Sequence, residues 1–376
     1  MKTGVYIHVP FCKQKCNYCD FYSVTNLETE KYLSALKVEM ELIKERYDFS
    51  ARSIYLGGGT PTVLKLKELE KLLNLINEEI PVREDFEFSI EANPSSLNQA
   101  KLKLLKEAGV NRISFGVQSF NNQRLSFLGR QHNRADIINS YALARKVGFK
   151  NISFDLIFAI PKQSLAEWKQ DLEEAIELAP EHISAYNLKI EAGTEFHKQL
   201  KVGDINKISE ELDLKMYQLA IDKLREAGYQ RYEISNFAQN NFASQHNKIY
   251  WKSKPYLAFG PGAHFFDGQA RGYNIASLQK YYKQLRKKRK LAWQEYNTLS
   301  QKDLIEEYLL MGLRLIDGIS IIDFNNRFNL SFKELYANEI KELIARNLVS
   351  LEEDRVKLTE RGLLLANQIL AYFLLD

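Results

Sequence analysis

The sequence predicts an α/β chain, a partial (βα)6 barrel followed by a small helical, winged-helix-like domain. Three observations lead there. Six short β-like runs alternate with amphipathic helical runs through the first two-thirds of the chain, a pattern that specifies parallel strands joined by right-handed crossovers. The runs carry one polar face, where a parallel strand covered on both sides would read as continuously apolar. From about Leu299 the alternation stops and the chain becomes mostly helical.

The β runs are Val5–Val9, Ser53–Leu56, Phe86–Ile90, Ile113–Val117, Ile152–Ile157 and Ile183–Leu188, with Tyr232–Ile234 as a candidate seventh. Between them, KLKELEKLLNLINEEI places Leu66, Leu69, Leu73, Ile76 and Ile80 on one helical stripe. Similar stripes occupy about 30–47, 98–108, 134–148, 164–178 and 209–227. In FEFSIE, Phe86, Phe88 and Ile90 alternate with Glu87, Ser89 and Glu91; in ISFDLI, Ile152, Phe154 and Leu156 alternate with Ser153 and Asp155. This reads as a curved sheet with helices outside and a polar cavity inside. A closed eight-stranded barrel would fill that interior with Val, Ile and Leu.

The basic stretch YYKQLRKKRK, Tyr281–Lys290, marks a boundary between a domain over 1–290 and one over 291–376. It reads first as a solvated surface, with contact to anionic lipid or nucleic acid as the sharper alternative. In the second domain, LVSLEEDRVKLTERG looks like two short strands around a turn at Glu352–Asp354, followed by a helix. The candidate recognition helix SFKELYANEIKELIARN is charge-mixed rather than basic, so a packing or partner role is expected and nucleic-acid binding is not. The terminal LLLANQILAYFLLD is too short for a bilayer and reads as a buried helix.

The 376 residues are 45% hydrophobic and carry a net charge of +4, too balanced to indicate nucleic acid by itself. MKTGVYIHVP lacks the apolar stretch of a signal peptide, so a cytoplasmic protein is expected, with peripheral membrane contact as an extension of that expectation.

All three cysteines, Cys12, Cys16 and Cys19, lie in HVPFCKQKCNYCDFYS. An odd number at such close spacing suits one shared metal centre better than disulfides. A zinc site would need His8 as fourth ligand. A 4Fe-4S cluster normally takes four thiolates, so three would leave one iron open to a small molecule. Polar or flexible groups also end successive strands: Tyr6 and His8 on the first, Gly57–Thr62 after the second, then Glu91, Gln118 and Asp155. Any one is an ordinary turn or cap residue; five in succession suggest a binding face.

C-x₃-C-x₂-C resembles the signature of the radical S-adenosylmethionine (SAM) enzymes, and Tyr18 before the last cysteine fits it. The resemblance implies a partial barrel, a 4Fe-4S cluster on Cys12, Cys16 and Cys19, and SAM chelated at the open iron. The family reduces the cluster to cleave the sulfonium and release a 5′-deoxyadenosyl radical. GGGTPT, IEANP, GVQSF, LGR and FDLIFAIP, in this order, resemble the coproporphyrinogen-oxidase-related branch. That likeness implies SAM contacts from Tyr6, Gly58, Gly59, Thr60, Glu91, Gln118, Arg130 and Asp155, with Lys189 near a further contact position. In it Glu91 offsets the methionine ammonium, Arg130 pairs with its carboxylate, and Asp155 accepts from ribose hydroxyls.

Two subfamilies share these motifs. The oxygen-independent coproporphyrinogen III oxidases carry a further cysteine two positions after the third, where this chain has Phe21, and a longer arm before the cluster. HNKIYW, His246–Trp251, with GPGAH after it, is similar to the HN-x-x-YW motif of the HemW-type haem chaperones. That resemblance implies haem as cargo, haem-accepting respiratory proteins as partners, and His246 as a candidate axial ligand beside Tyr250 and Trp251. The alternatives are the oxidase, a buried hydrogen-bonded role for His246, and a zinc-bound regulator of nucleic acid.

Overall fold

The structure, a computed structural model, describes residues 1–374. Six strands run parallel in chain order: β1 (Lys2–Val9), β2 (Ser50–Gly58), β3 (Val82–Ala92), β4 (Arg112–Gln118), β5 (Ile152–Phe158) and β6 (His182–Asn187). The helices α1 (Thr29–Arg46), α2 (Leu66–Glu79), α3 (Gln99–Glu107), α4 (Asn122–Phe127), α5 (Arg134–Val147) and α6 (Leu165–Leu178) connect them. The expected units are therefore present, and the strands outrun the sequence reading by one to four residues at most ends. Side chains cap several helices: Asn133 and Ser164 form capping boxes at α5 and α6.

Alternation along the strands sorts the two faces. Phe88, Ile90, Ile113, Phe115, Ile152 and Phe154 are all buried against the helical layer. Register then lays the polar face in adjoining rows: Tyr6 opposite Tyr55 and Tyr55 opposite Ser89, then Glu91 opposite Ser114 and Ser114 opposite Ser153, then Asp155 opposite Ser184. The sheet stays open, as a partial barrel.

Both edges extend further than the sequence revealed. Tyr232–Ile234 is not a strand; it is the link between β7 (Gln230–Arg231) and β8 (Asn236–Ala238), and β8 pairs antiparallel with β6. These follow α7 (Glu195–Val202) and α8 (Glu210–Glu226), and precede α9 (Gln245–Trp251). At the other edge β9 (Tyr256–Phe259) pairs parallel with β1, and β10 (His264–Phe266), β11 (Ala270–Asn274) and β12 (Trp293–Thr298) continue antiparallel, giving twelve strands. The main sheet therefore runs past residue 290. The basic stretch is docked by Tyr281 and Leu285, both fully buried, within and after α10 (Leu278–Tyr282), while its cations face solvent.

Beyond it, α11 (Gln301–Gly312) and further short helices build a separate core with a three-stranded sheet of Ile319–Ser320, Arg355–Leu358 and Val349–Glu352 in that spatial order. The candidate recognition helix is broken at Tyr336 into Phe332–Leu335 and Ala337–Ala345, and Tyr336 donates to the Phe373 carbonyl at 3.1 Å. Of the terminal stretch, Leu363, Ala366, Ile369, Leu370 and Phe373 are buried; its last two residues lie outside the described residues. Among the described residues no helix is long and apolar enough to cross a membrane. Arg231 pairs with Glu360, Arg271 with Glu307, and Arg327 donates to the Ser253 carbonyl, tying the two parts together.

Glu39 of α1 is the main buried polar tie at the added edge. It accepts from Gly260 N at 2.8 Å, the Tyr281 hydroxyl at 2.6 Å and Asn274 Nδ2 at 2.6 Å. Burial outweighs these donors and pushes its pKa from 4.5 up to about 7. A raised carboxylate contributes stability that is full below 4.5 and lost as pH rises through about 7. Glu39→Gln removes the titration and keeps one of the two oxygen acceptors. The urea midpoint of the parent is expected to fall between pH 6 and pH 8, and that of the variant to fall measurably less.

Candidate functional site

The cluster loop leaves β1 at Pro10 and returns at Val24. Its base is closed by Cys12 N to Val24 O at 3.0 Å and Val24 N to Pro10 O at 2.7 Å. Asn17 anchors the tip: its backbone N donates to Leu128 O, its Nδ2 to Phe127 O, and its carbonyl accepts from Phe196 N. The three cysteines are free and half-buried, and all line one cavity of about 1410 Å³ at the strands' C-terminal ends.

The glycine run shapes the opposite lip. Gly58 holds φ +104°, and a Cβ there would sit 2.5 Å from His8 Nδ1; a Cβ on Gly59 would sit 2.6 Å from Phe11 O. Close packing against the cluster-bearing strand thus requires these glycines, independently of any ligand. Thr60 Oγ1 lies 3.8 Å from Cys12 Sγ.

On the cavity floor, Glu91 accepts from the Tyr55 hydroxyl at 2.9 Å and Gly58 N at 3.1 Å. Burial, then the neighbouring Asp155 charge, push Glu91 up to about 7. Asp155 accepts from Ser184 at 2.7 Å and Ser114 at 2.8 Å, and burial raises its pKa. Arg112, buried on the same face, has an Nε with no partner among the described residues. Burial lowers it, but Glu87 and the nearby tyrosines raise it further, so it stays a cation beneath the carboxylates. Arg130 reaches in from beyond β4, with Nη1 3.4 Å from Cys16 Sγ, Nη2 2.9 Å from Gly116 O, and a buried Nε unpartnered. Gln118 ends β4 at φ +67°, an uncommon conformation for a residue with a side chain and one that concentrates at binding sites.

Most of the sequence-predicted residues therefore converge. Tyr18, Gly58, Gly59, Thr60, Glu91, Gln118, Arg130, Asp155 and Lys189 line the cavity with the cysteines. Two do not. Tyr6 lies behind Tyr55, with ring centroids 6.2 Å apart and its hydroxyl 3.0 Å from His8 Nδ1. His246 is buried, with Nδ1 2.8 Å from Ser53 Oγ, Nε2 2.7 Å from the Tyr250 hydroxyl, and its ring stacked on Tyr55. Burial and then the Arg112 charge push it down to about 3, so the ring is neutral with both nitrogens engaged. Of the two roles that the sequence offered this histidine, axial ligand and buried hydrogen-bonded residue, the geometry is that of the second. His8 is likewise withdrawn, its Nε2 2.8 Å from Tyr22 O, so it does not complete a Cys₃His zinc set. Residues that the sequence reading did not single out, Tyr55, Ser184, Leu214 and Arg314, also line the cavity.

The comparisons fit this geometry. The Radical SAM superfamily model matches residues 6–175 and the HemN C-terminal domain model residues 299–365. The haem chaperone HemW of Bacillus subtilis is 38% identical over all of this chain and 99% of its own length; that of Lactococcus lactis is 37% identical over 100% and 98%. The chain belongs to the HemW family of radical SAM proteins. Its fold matches the solved coproporphyrinogen III oxidase HemN of Escherichia coli, a radical SAM enzyme, with TM-score 0.86 and 25% identity over 99% of this chain and 90% of that one.

The superfamily's cofactors are a 4Fe-4S cluster and SAM, and the residues of this HemW-family chain fit both. Burial raises the Cys12 thiol and pushes Cys19 up to about 11, so a metal is needed to hold them as thiolates. Among the described residues no three His, Cys, Asp or Glu side chains close around a single ion, whereas a cubane takes its thiolates on separate irons. The unpartnered Arg130 Nε and the ionisable floor suit a zwitterionic ligand. Each of Cys12→Ala, Cys16→Ala and Cys19→Ala, purified without oxygen, is expected to lose most of the iron and acid-labile sulfide that the parent holds, measured per chain.

Proposed function

We propose that this protein is a haem carrier: it holds a 4Fe-4S cluster on Cys12, Cys16 and Cys19, binds SAM beside it, and passes haem to respiratory acceptor proteins. The observation that carries the reading is full-length similarity to HemW haem chaperones at 37–38% identity. The cavity adds support, since its volume of about 1410 Å³ exceeds the roughly 300–1,000 Å³ of an ordinary small-molecule site.

In this reading Glu91 faces the SAM ammonium, Arg130 its carboxylate and Asp155 the ribose, with Gly58, Gly59 and Thr60 as the backbone cradle. The bound cluster supplies an open iron for the methionine group. Exposed cations from Lys280 to Lys290 provide a surface for peripheral contact with an anionic membrane, where respiratory acceptors reside. The oxidase is the second reading, favoured by the likeness to HemN.

Two measurements test this. Anaerobic protein should bind haem stoichiometrically in a Soret titration and convert no coproporphyrinogen III; conversion at a useful rate would establish the oxidase. SAM affinity should rise with pH through about 7, as Glu91 ionises. Glu91→Gln is expected to weaken SAM binding about ten-fold, equivalent to one lost charge-assisted contact, and to flatten that pH dependence in isothermal titration.

A further inference from the structure

Between the HNKIYW helix and Glu91 stands one tyrosine. Glu91 of β3 accepts one hydrogen bond on each oxygen, from the Tyr55 hydroxyl at 2.9 Å and from Gly58 N at 3.1 Å. Gly58 N is backbone of β2, fixed by the ladder to β1. The Tyr55 hydroxyl is the far end of a rotatable side chain, so its aim depends on what holds the ring. Gly57 lets the contact close, since a Cβ there would lie 2.9 Å from both Glu91 Oε1 and Tyr55 Cε1.

Two other rings hold that of Tyr55. Tyr6 stacks on it with centroids 6.2 Å apart, and His246 of α9 stacks more closely, at 5.1 Å and 27°. His246 is itself fixed at three points. Its Nδ1 lies 2.8 Å from Ser53 Oγ, its Nε2 lies 2.7 Å from the Tyr250 hydroxyl, and its backbone N donates to Glu87 Oε1 at 3.2 Å. Ser53 and Glu87 face each other across β2 and β3, so α9 grips the two strands that present Tyr55 and Glu91. Packing alone would account for a buried histidine. It does not account for a ring laid on the one side chain that donates to Glu91.

We propose that Tyr55 is a positioning residue for Glu91 and that His246, stacked on Tyr55, sets its aim, so that the HNKIYW helix acts on SAM binding through Tyr55. The inference rests on the assignment of Glu91 to the SAM ammonium above. Its sign follows from the hydrogen bond, because a donor favours the ionised carboxylate. Of the other groups facing Glu91, the Asp155 carboxylate of β5 raises its pKa and the Arg112 cation of β4 lowers it. Tyr6 and Tyr250, raised well above 10 by burial, stay neutral. Losing the Tyr55 donor therefore raises the pH at which Glu91 ionises.

The test uses the full chain with its cluster reconstituted anaerobically, titrated with SAM by calorimetry from pH 6 to pH 9. Tyr55→Phe keeps the ring and removes the donor, and the midpoint of the pH dependence is expected to rise by about one unit. Affinity then falls about five-fold at pH 7 and returns to the parent's at pH 9. His246→Asn keeps a hydrogen-bonding group for Ser53 and removes the stacked ring; it is expected to move the midpoint the same way, with about a two-fold loss at pH 7. Both variants are expected to hold the parent's iron and sulfide. The titration of Glu91 itself, followed by infrared difference spectroscopy in the SAM-free protein and identified by its absence from Glu91→Gln, is expected to move up in both. If His246→Asn fails to load its cluster, Tyr250→Phe, which removes only the hydroxyl at Nε2, takes its place with the same expected direction. Parent-like affinity and midpoint in Tyr55→Phe or in His246→Asn overturn the inference, as does a loss that persists undiminished at pH 9. A parent protein that binds no SAM removes the assignment of Glu91 instead, and the infrared titration then decides whether His246 sets Tyr55.

Discussion

Carboxylates on the inner face of a parallel sheet are the constraint on which the rest of this structure depends. Glu91 and Asp155 stand on strands β3 and β5, half-buried and close enough to raise Glu91's pKa. Two such groups cannot be enclosed in an apolar barrel without large desolvation cost. The sheet meets this by staying open, by placing the Arg112 cation beneath them, and by supplying hydroxyl donors from Ser114, Ser184 and Tyr55. The unfilled volume that results is the binding cavity.

The same constraint explains why the cluster loop sits where it does. Arg130 reaches Cys16, and burial works against ionisation of Cys12 and Cys19. The loop is instead fixed by backbone hydrogen bonds and by Asn17, so that the sulfurs face the cavity before any metal arrives. The glycines of β2 allow this by letting the second strand pass against His8 and Phe11. Preorganisation by packing and backbone contacts replaces preorganisation by charge.

An aromatic chain links the cluster side to the HNKIYW helix. Tyr250, His246, Tyr55, Tyr6 and His8 follow one another by hydrogen bond or ring contact, and Tyr55 also holds Glu91. Glu87 caps the start of α9 through Gln245 N and His246 N, which agrees with a carboxylate at a helix N-terminus. The motif therefore lies beneath the cavity floor, with Asn247, Tyr250 and Trp251 reaching the cavity.

The sequence alone determined the βα alternation, the polar inner face and the cysteine trio, because period-two patterning and close spacing are local signals that survive without coordinates. It also located Gly58, Glu91, Gln118 and Asp155, since each ends or follows a strand whose direction the pattern sets. The antiparallel extension through β12 was not legible: its strands are short and take their partners from distant parts of the chain, where tertiary context overrides propensity. Likewise the environment of His246 was decided only by Ser53, Tyr55 and Tyr250 meeting around it, and the meeting of Arg314 and Leu364 with Tyr186 and Leu214 around one cavity only by the docking of the C-terminal domain. Burial and partner geometry are properties of the assembled chain, and the motif surrounding a histidine does not state which of its nitrogens remains free.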